Sequence, residues 1–335
     1  MWYNKYKFHI RKFFVPEDLL MNRKITVIGA GNVGATIAYT LAVQGIANDV
    51  VLIDINTEKA AGEAMDIEQG TPFCPPCTVR AGDYPDATES DIVIITSGVA
   101  RKPGQTRLDL AQTNVDILKS ITPQITQYAP DALYLIVANP VDIMTYAFCK
   151  ISGIPEHRVI GSGTILDTAR LRSYIANHFS LAEQNVHCYV FGEHGESMFI
   201  PWSIARISCI SLERYSATCL SSREEGNPLD YEVADHYIRT SGSKIIGYKG
   251  ATYYAVAISA CHICKCIFGG LDCALTVSSM LHGEFGIDDV CLSVLNIVGP
   301  DGIKGKLEAD INDRERKLLH KSAENLKEVI RNINI

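Results

Sequence analysis

The stretch KITVIGAGNVGATIAYTLAVQ, residues 24–44, followed four residues later by DVVLID, residues 49–54, decides the fold. KITVI is a short run rich in β-branched residues, as expected of a strand buried on both faces, and residues 32–44 carry helical apolar spacing. Between strand and helix, GAGNVG places Gly29, Gly31 and Gly34 where three separate demands are met. Gly29 permits the tight turn, Gly31 lets a pyrophosphate approach the backbone, and Gly34 lets helix and strand pack closely. The free N–H groups at the helix start, those of Asn32 and Val33, face the anion. Asp54 ends the next strand twenty residues after Gly34, where a carboxylate accepts hydrogen bonds from ribose hydroxyls and repels a 2′-phosphate. These residues specify a dinucleotide site that favours NAD over NADP.

Working outward, strands are expected at 78–82, 91–96 and 132–137, with helices through GEAMDIEQ and over about 109–127. Strands alternating with helices imply βαβ units and a parallel sheet covered on both faces. After Asn139-Pro140 the pattern changes to long helical stretches at 164–179, 231–241 and from Tyr253. Strands are expected there near 187–191 and 203–207, with an amphipathic helix over 313–333. The expected fold is α/β: a Rossmann-type doubly wound parallel sheet over 21–162, joined to a mixed α+β substrate and catalytic domain over 163–335. Residues 1–20 read as an N-terminal arm at a subunit contact or an over-extended start ahead of Met21.

A chain of 335 residues that is 47% hydrophobic has enough apolar material for two such domains. Its net charge of −7 argues against nucleic acid as a partner, because phosphate binding needs a broad basic surface. No apolar run of about 18 residues appears, so no membrane span is expected. Eleven cysteines, an odd count, suit a reducing compartment, and the cytoplasm is expected. Cys74 and Cys77 have CxxC spacing, and Cys261, Cys264 and Cys266 cluster, but neither group sits in a redox or metal context. Both are read as packing thiols, and no metal is expected.

The remaining chemistry is distributed. FGEHGES sets His194 between glycines, and ILDTARLR sets Asp167, Arg170 and Arg172 on or beside a helix start. SGVARKPGQTRLDL, residues 97–110, gathers Arg101, Lys102 and Arg107 on a loop punctuated by Gly and Pro. Hydride transfer to a 2-oxo acid needs a proton donor titrating near neutrality and a carboxylate to fix its tautomer. It also needs one guanidinium to grip the substrate carboxylate and another to polarise the carbonyl. The inventory is complete.

GAGNVG, the DIN strand end, KPGQTRLDL, ANPVD, GSGTILDTARLR, GEHGES and KGATYY together resemble the L-lactate/malate dehydrogenase family, in order, from about residue 24 to the C-terminus. The resemblance implies that His194 is the acid/base, Asp167 its partner, Arg170 the carboxylate clamp and Arg107 the carbonyl polariser. It implies that Asn139 supports the substrate carbonyl and the cofactor, that Thr252 lines the pocket, and that Val256 faces the nicotinamide. It implies closure of the 97–110 segment over the substrate, and a homotetramer or homodimer. Arg172 and His187 match positions that bind fructose 1,6-bisphosphate in bacterial lactate dehydrogenases, so an allosteric phosphate site is implied there.

Arg101 occupies the position that in the family faces the variable end of the substrate, where malate enzymes have Arg and lactate enzymes Gln. A guanidinium brought into a closed pocket needs an anionic partner. The expected substrate pair is therefore L-malate/oxaloacetate. The alternative is L-lactate/pyruvate, on the strength of Glu193 and the KGATYY wall. A catalytically silent NAD-binding protein is the remote third reading; it predicts loss of at least one of the four chemical groups, all of which are present.

Overall fold

The computed structural model describes residues 23–100, 106–222 and 228–335. β1 (Lys24–Ile28), α1 (Asn32–Gln44), β2 (Asp49–Ile53), α2 (Thr57–Gly70), β3 (Thr78–Ala81) and β4 (Ile92–Ile95) follow in turn. α3 (Arg107–Tyr128), β5 (Leu133–Ile136), α4 (Val141–Ile151), β6 (Val159–Gly161) and α5 (Ile165–Phe179) complete the alternating part. β7 (Val186–His187), β8 (Arg206–Ile207) and β9 (Ile210–Ser211) form a small sheet, followed by α6 (Leu212–Ser222), α7 (Tyr231–Lys249) and α8 (Tyr254–Phe268). β10 (Cys273–His282), β11 (Asp288–Gly299), β12 (Gly302–Leu307) and α9 (Asp313–Arg331) end the chain.

Among the described residues nine strands make one sheet in the order β12-β11-β10-β6-β5-β4-β1-β2-β3. Its β1 to β6 portion is parallel throughout, and β10, β11 and β12 add to the β6 edge antiparallel. Alternation of side chains sorts the strands into two cores. Ile25, Val27, Ile92, Ile94 and Leu135 face one side with Ile37 and Leu41 of α1 and Ile263 of α8. Ile28, Val93, Ile95, Tyr134 and Ile136 face the other with Val115 of α3, Phe148 of α4 and Leu319 of α9. Each fully buried aliphatic side chain contributes about 1.5–3 kcal/mol, so both layers of helices are held by the sheet's own alternation.

The sequence order reverses between β1 and β4, which pair with each other while β2 and β5 lie outward on opposite sides. A crevice opens at the carboxyl ends of such strands, and ligands bind there. The GAGNVG turn leaves β1 at this edge, Asn139 follows β5, and α5 follows β6.

The structure departs from the sequence expectations mainly after residue 139. The second half is the expected mixed α+β part, and its strands β10 to β12, which the sequence reading did not anticipate, extend the first sheet. These strands were hard to see because β10 buries Thr276, Ser278 and Ser279. Each hydroxyl finds a partner, Thr168, Asp142 and Asn296 respectively, at 2.9, 2.6 and 2.8 Å. Of the strand expected at 187–191 only its first residue is ladder-paired, with Phe191 bridging to Phe199 instead. Residues 202–204 form a 3-10 turn ahead of β8, and α7 runs to Lys249 rather than 241. No helix of the described residues is long and apolar enough to cross a membrane.

Candidate active site

At the β1–α1 turn the three glycines do different work. Gly29 has φ +105° and donates its N–H to Ile53 O at 2.7 Å; a Cβ there would stand 2.7 Å from Thr96 Oγ1. A Cβ on Gly34 would stand 1.8 Å from Gly29 O, so helix and turn touch at the backbone. At Gly31 nothing lies within 4 Å of the corresponding point, and α1 has no side-chain cap. The space over Gly31 and the uncapped helix start therefore suit a phosphate group. Asp54 lies beside them, its Oδ2 accepting from Ala30 N–H at 2.6 Å and its Oδ1 from Asn56 N–H at 2.8 Å. Two fixed backbone donors orient the carboxylate, and each oxygen keeps acceptor capacity for a ribose hydroxyl. Val33 on α1 and Val256 on α8 pack against the same core, so the two helices carrying predicted cofactor contacts are joined. These residues fit NAD.

Asn139 is exposed, and its carbonyl accepts a 2.6 Å hydrogen bond from Asn114 Nδ2. The same Asn114 side chain, 1% exposed on α3, holds Val99 through both its N–H and its carbonyl. It ties the segment after β4 to the segment after β5. Thr252 is half-buried just before α8.

His194, 27 residues beyond Asp167 in the chain, meets Asp167 and Arg170. The first turn of α5 holds Asp167, 1% exposed, and its Oδ2 lies 2.6 Å from His194 Nδ1. Arg170, one turn on, donates to Asp167 Oδ1 at 2.9 Å. An ionised Asp167 accepts from Nδ1–H, which leaves Nε2 for proton exchange. The His194 side chain retains 28% exposure, so it is reachable. The Asp167 carboxylate lifts the imidazole to about 9, against the opposing effect of burial. Burial pushes Asp167 up, but the His194 charge and hydrogen bond, with Arg170, outweigh it and hold the carboxyl below its usual range. The pair is a pre-formed imidazolium–carboxylate couple.

Arg107 is the first residue of α3, whose start is closed by a reciprocal Thr106–Asp109 capping box. Its side chain, and all of Arg101, lie outside the described residues. Arg172 does not join the catalytic cluster: its Nε donates to Cys188 O at 3.1 Å, and its guanidinium lies 5.1 Å from the centre of the Tyr189 ring. It lines a cavity of about 290 Å³ with His262, Glu183 and Thr276, whereas His187, exposed on β7 and paired with Arg206, is not part of that lining. Cys77 is pushed up to about 11 by burial and by nearby Glu68 and Asp49, so the CxxC thiol stays protonated and a poor nucleophile.

Sequence reasoning missed three supporting groups. Asp142, in the quoted ANPVD, is 2% exposed and bonds both His194 N–H and Ser278. Asn114 has been described. Ser322 of α9 accepts Glu193 N–H at 2.7 Å and bonds Ser197, holding the loop on either side of His194. Only Asp142 gave a sequence signal, as an acid in a helix's first turn, and that reads equally as a dipole contact.

Two family profiles cover the chain: the NAD-binding domain of lactate/malate dehydrogenase matches residues 23–161, and the alpha/beta C-terminal domain of lactate/malate dehydrogenase matches residues 164–334. The L-lactate dehydrogenase of Acetivibrio thermocellus is 45% identical over 313 residues, 93% of this chain and 98% of that protein. The L-lactate dehydrogenase of Thermoanaerobacter pseudethanolicus is 46% identical over 312 residues, 93% of this chain and 99% of its own. The crystal structure of the minor L-lactate dehydrogenase from Enterococcus mundtii superposes with a TM-score of 0.88 at 36% identity, covering 94% of this chain and 99% of that one. With its NAD-binding half and its acid–base couple at one sheet edge, the chain belongs to the lactate/malate dehydrogenase family, as an NAD-dependent oxidoreductase acting on CH–OH groups.

Proposed function

We propose that the chain is an L-lactate dehydrogenase, interconverting pyruvate and L-lactate, with 21–162 as its cofactor domain and 163–335 as its catalytic domain. The observation that carries the chemistry is the His194–Asp167–Arg170 cluster, closed at 2.6 and 2.9 Å at the carboxyl edge of the sheet. The substrate expectation drawn from Arg101, L-malate/oxaloacetate, gives way to its alternative. Relatives matching over 92–93% of the chain at 43–46% identity carry lactate dehydrogenase names. The Arg101 argument assumed a desolvated guanidinium. A side chain that long keeps its head in water at little cost, and a solvated charge demands no second carboxylate.

Bound NADH supplies the hydride. Arg170 grips the pyruvate carboxylate with parallel hydrogen bonds, and Arg107 polarises the carbonyl from the start of α3. His194 gives its Nε2 proton to the oxygen as the alkoxide forms, and Asp167 stabilises the imidazolium before transfer. The expected closure of the 97–110 segment falls on residues 101–105, which lie outside the described residues. The deciding experiment compares kcat/KM for pyruvate and oxaloacetate with NADH. Pyruvate is expected to be favoured by at least about tenfold, the discrimination a pocket reaches from one group's fit. Faster oxaloacetate reduction would restore the malate reading.

The couple also sets a pH response. Reduction needs protonated His194, held up to about 9, so kcat/KM for pyruvate should stay level through neutrality and fall above about pH 9. Lactate oxidation needs the neutral ring and should rise through the same interval. Stopped-flow pH profiles in both directions check this; a reduction limb falling near 6.5, the unperturbed value, would remove Asp167 from its role.

A homo-oligomer in the cytoplasm completes the reading. Support comes from large apolar side chains left exposed on three helices, Tyr39 and Val43 on α1, Ile246 and Tyr248 on α7, and Tyr254 and Ile258 on α8. The described cysteines are free thiols, as a reducing compartment allows.

A further inference from the structure

We propose that Asp142 is a positioning residue for the proton transfer, fixing the backbone of His194 and holding a second negative charge near its ring. This deepens the dehydrogenase reading above and rests on it. Asp142 stands in the first turn of α4, in the NAD-binding half, and is 2% exposed. Its Oδ2 accepts His194 N–H at 2.7 Å, and its Oδ1 accepts Ser278 Oγ–H of β10 at 2.6 Å. One carboxylate thus pins the acid–base residue to α4 and to the antiparallel edge of the sheet. A neutral side chain would satisfy the same two donors, so the buried charge needs another explanation.

The electrostatics supply one. His194 stands among Asp167 and Arg170 of α5 and Asp142 of α4; Asp142 itself also faces Glu193 and, across the core, Cys291 of β11. Asp142 adds to Asp167 in favouring the imidazolium, while Arg170 opposes both. Burial raises the Asp142 carboxyl to about 6 against the Ser278 and His194 hydrogen bonds. It is therefore ionised at neutral pH and above, over the range where His194 cycles its proton. Below about pH 6 it becomes neutral and that support is withdrawn.

The test is Asp142→Asn in the full-length enzyme with saturating NADH. The amide keeps the shape, accepts His194 N–H through its oxygen, and donates to Ser278, whose hydroxyl rotates to accept; only the charge is lost. The alkaline midpoint of kcat/KM for pyruvate should move down by about half a unit to one unit, the shift expected from losing one nearby charge. NADH affinity, read by fluorescence titration, should be unchanged. A wild-type alkaline midpoint in a folded variant would overturn the inference. Should Asp142→Asn fail to fold, Ser278→Ala gives the second reading. It removes a hydrogen bond that favours the ionised carboxylate, so the titration of the Asp142 carboxyl, followed by 13C NMR, should move up from about 6, and an unmoved carboxyl overturns the inference equally. His194→Asn run alongside separates the two claims: its inactivity with an unshifted Asp142→Asn profile sinks only the positioning role, while its activity sinks the dehydrogenase mechanism.

Discussion

His194→Asn should lose pyruvate reduction by on the order of 10³- to 10⁴-fold in kcat, the upper range for removing a positioned general acid. Asparagine is neutral and does not titrate, so the alkoxide would have to draw its proton from water. The fold should persist. The carboxamide can still donate to Asp167 Oδ2, now held at 2.6 Å by Nδ1, and the backbone N–H still reaches Asp142. NADH binding should therefore be intact by fluorescence, and the circular dichroism spectrum unchanged. The variant also loses the protonated partner that keeps Asp167 low, leaving the Arg170 charge and a neutral amide hydrogen bond to stabilise a nearly inaccessible carboxylate. Midpoint unfolding temperature should accordingly drop at neutral pH more than at low pH. The sign follows from the couple. A depressed Asp167 contributes stability above its unfolded value of 3.8, lost as pH falls through the folded one, whereas the raised His194 contributes most below 6.5 and loses it as pH climbs through about 9.

Gly34→Ala should be comparably severe for a different reason. The added Cβ would lie 1.8 Å from Gly29 O and 2.8 Å from Thr96 Oγ1. Neither the backbone carbonyl nor Thr96, which donates toward Ile28 O and Gly29 O, is the loose end of a flexible chain. Helix α1 must move off the turn, costing about 3 kcal/mol, the upper part of the usual range for overpacking. The same movement displaces the helix start that would receive the pyrophosphate. NADH affinity should fall, and pyruvate reduction should drop on the order of 10²-fold, the rate cost of ångström-scale misplacement. Gly31→Ala is the informative contrast, since nothing in the folded chain meets its Cβ. It should leave the melting temperature nearly unchanged and weaken NADH alone, by crowding the phosphate. Equal thermal losses in both variants would mean that Gly31 serves the fold rather than the cofactor.

Residues 23–100 and 106–139 were legible because local and global demands coincide there. In the parallel strands β1, β4 and β5 every residue is buried, so the β-branched runs that favour extended backbone are also those the two cores need. The glycine turn and Asp54 belong to one contiguous βαβ unit, so their spacing along the chain fixes their spacing in space. Beyond Asn139 that coincidence ends. β10 looks too polar for a central strand until Asp142, Thr168 and Asn296 are seen to satisfy its hydroxyls, and all three come from outside the strand.

By itself, then, the sequence determined the doubly wound sheet, the dinucleotide turn and the kinds of side chain available for acid–base work. All of these depend on residues close together in the chain or on chemistry that only a few residue types perform. The tertiary structure decided which of those side chains meet. It brought His194 to the helical Asp167–Arg170 pair, set Asp142 of the first half beneath the backbone of His194 in the second, and kept Arg172 apart on Tyr189. Contacts between residues tens of positions apart are fixed by how whole elements pack, and no local pattern of residue types carries that information.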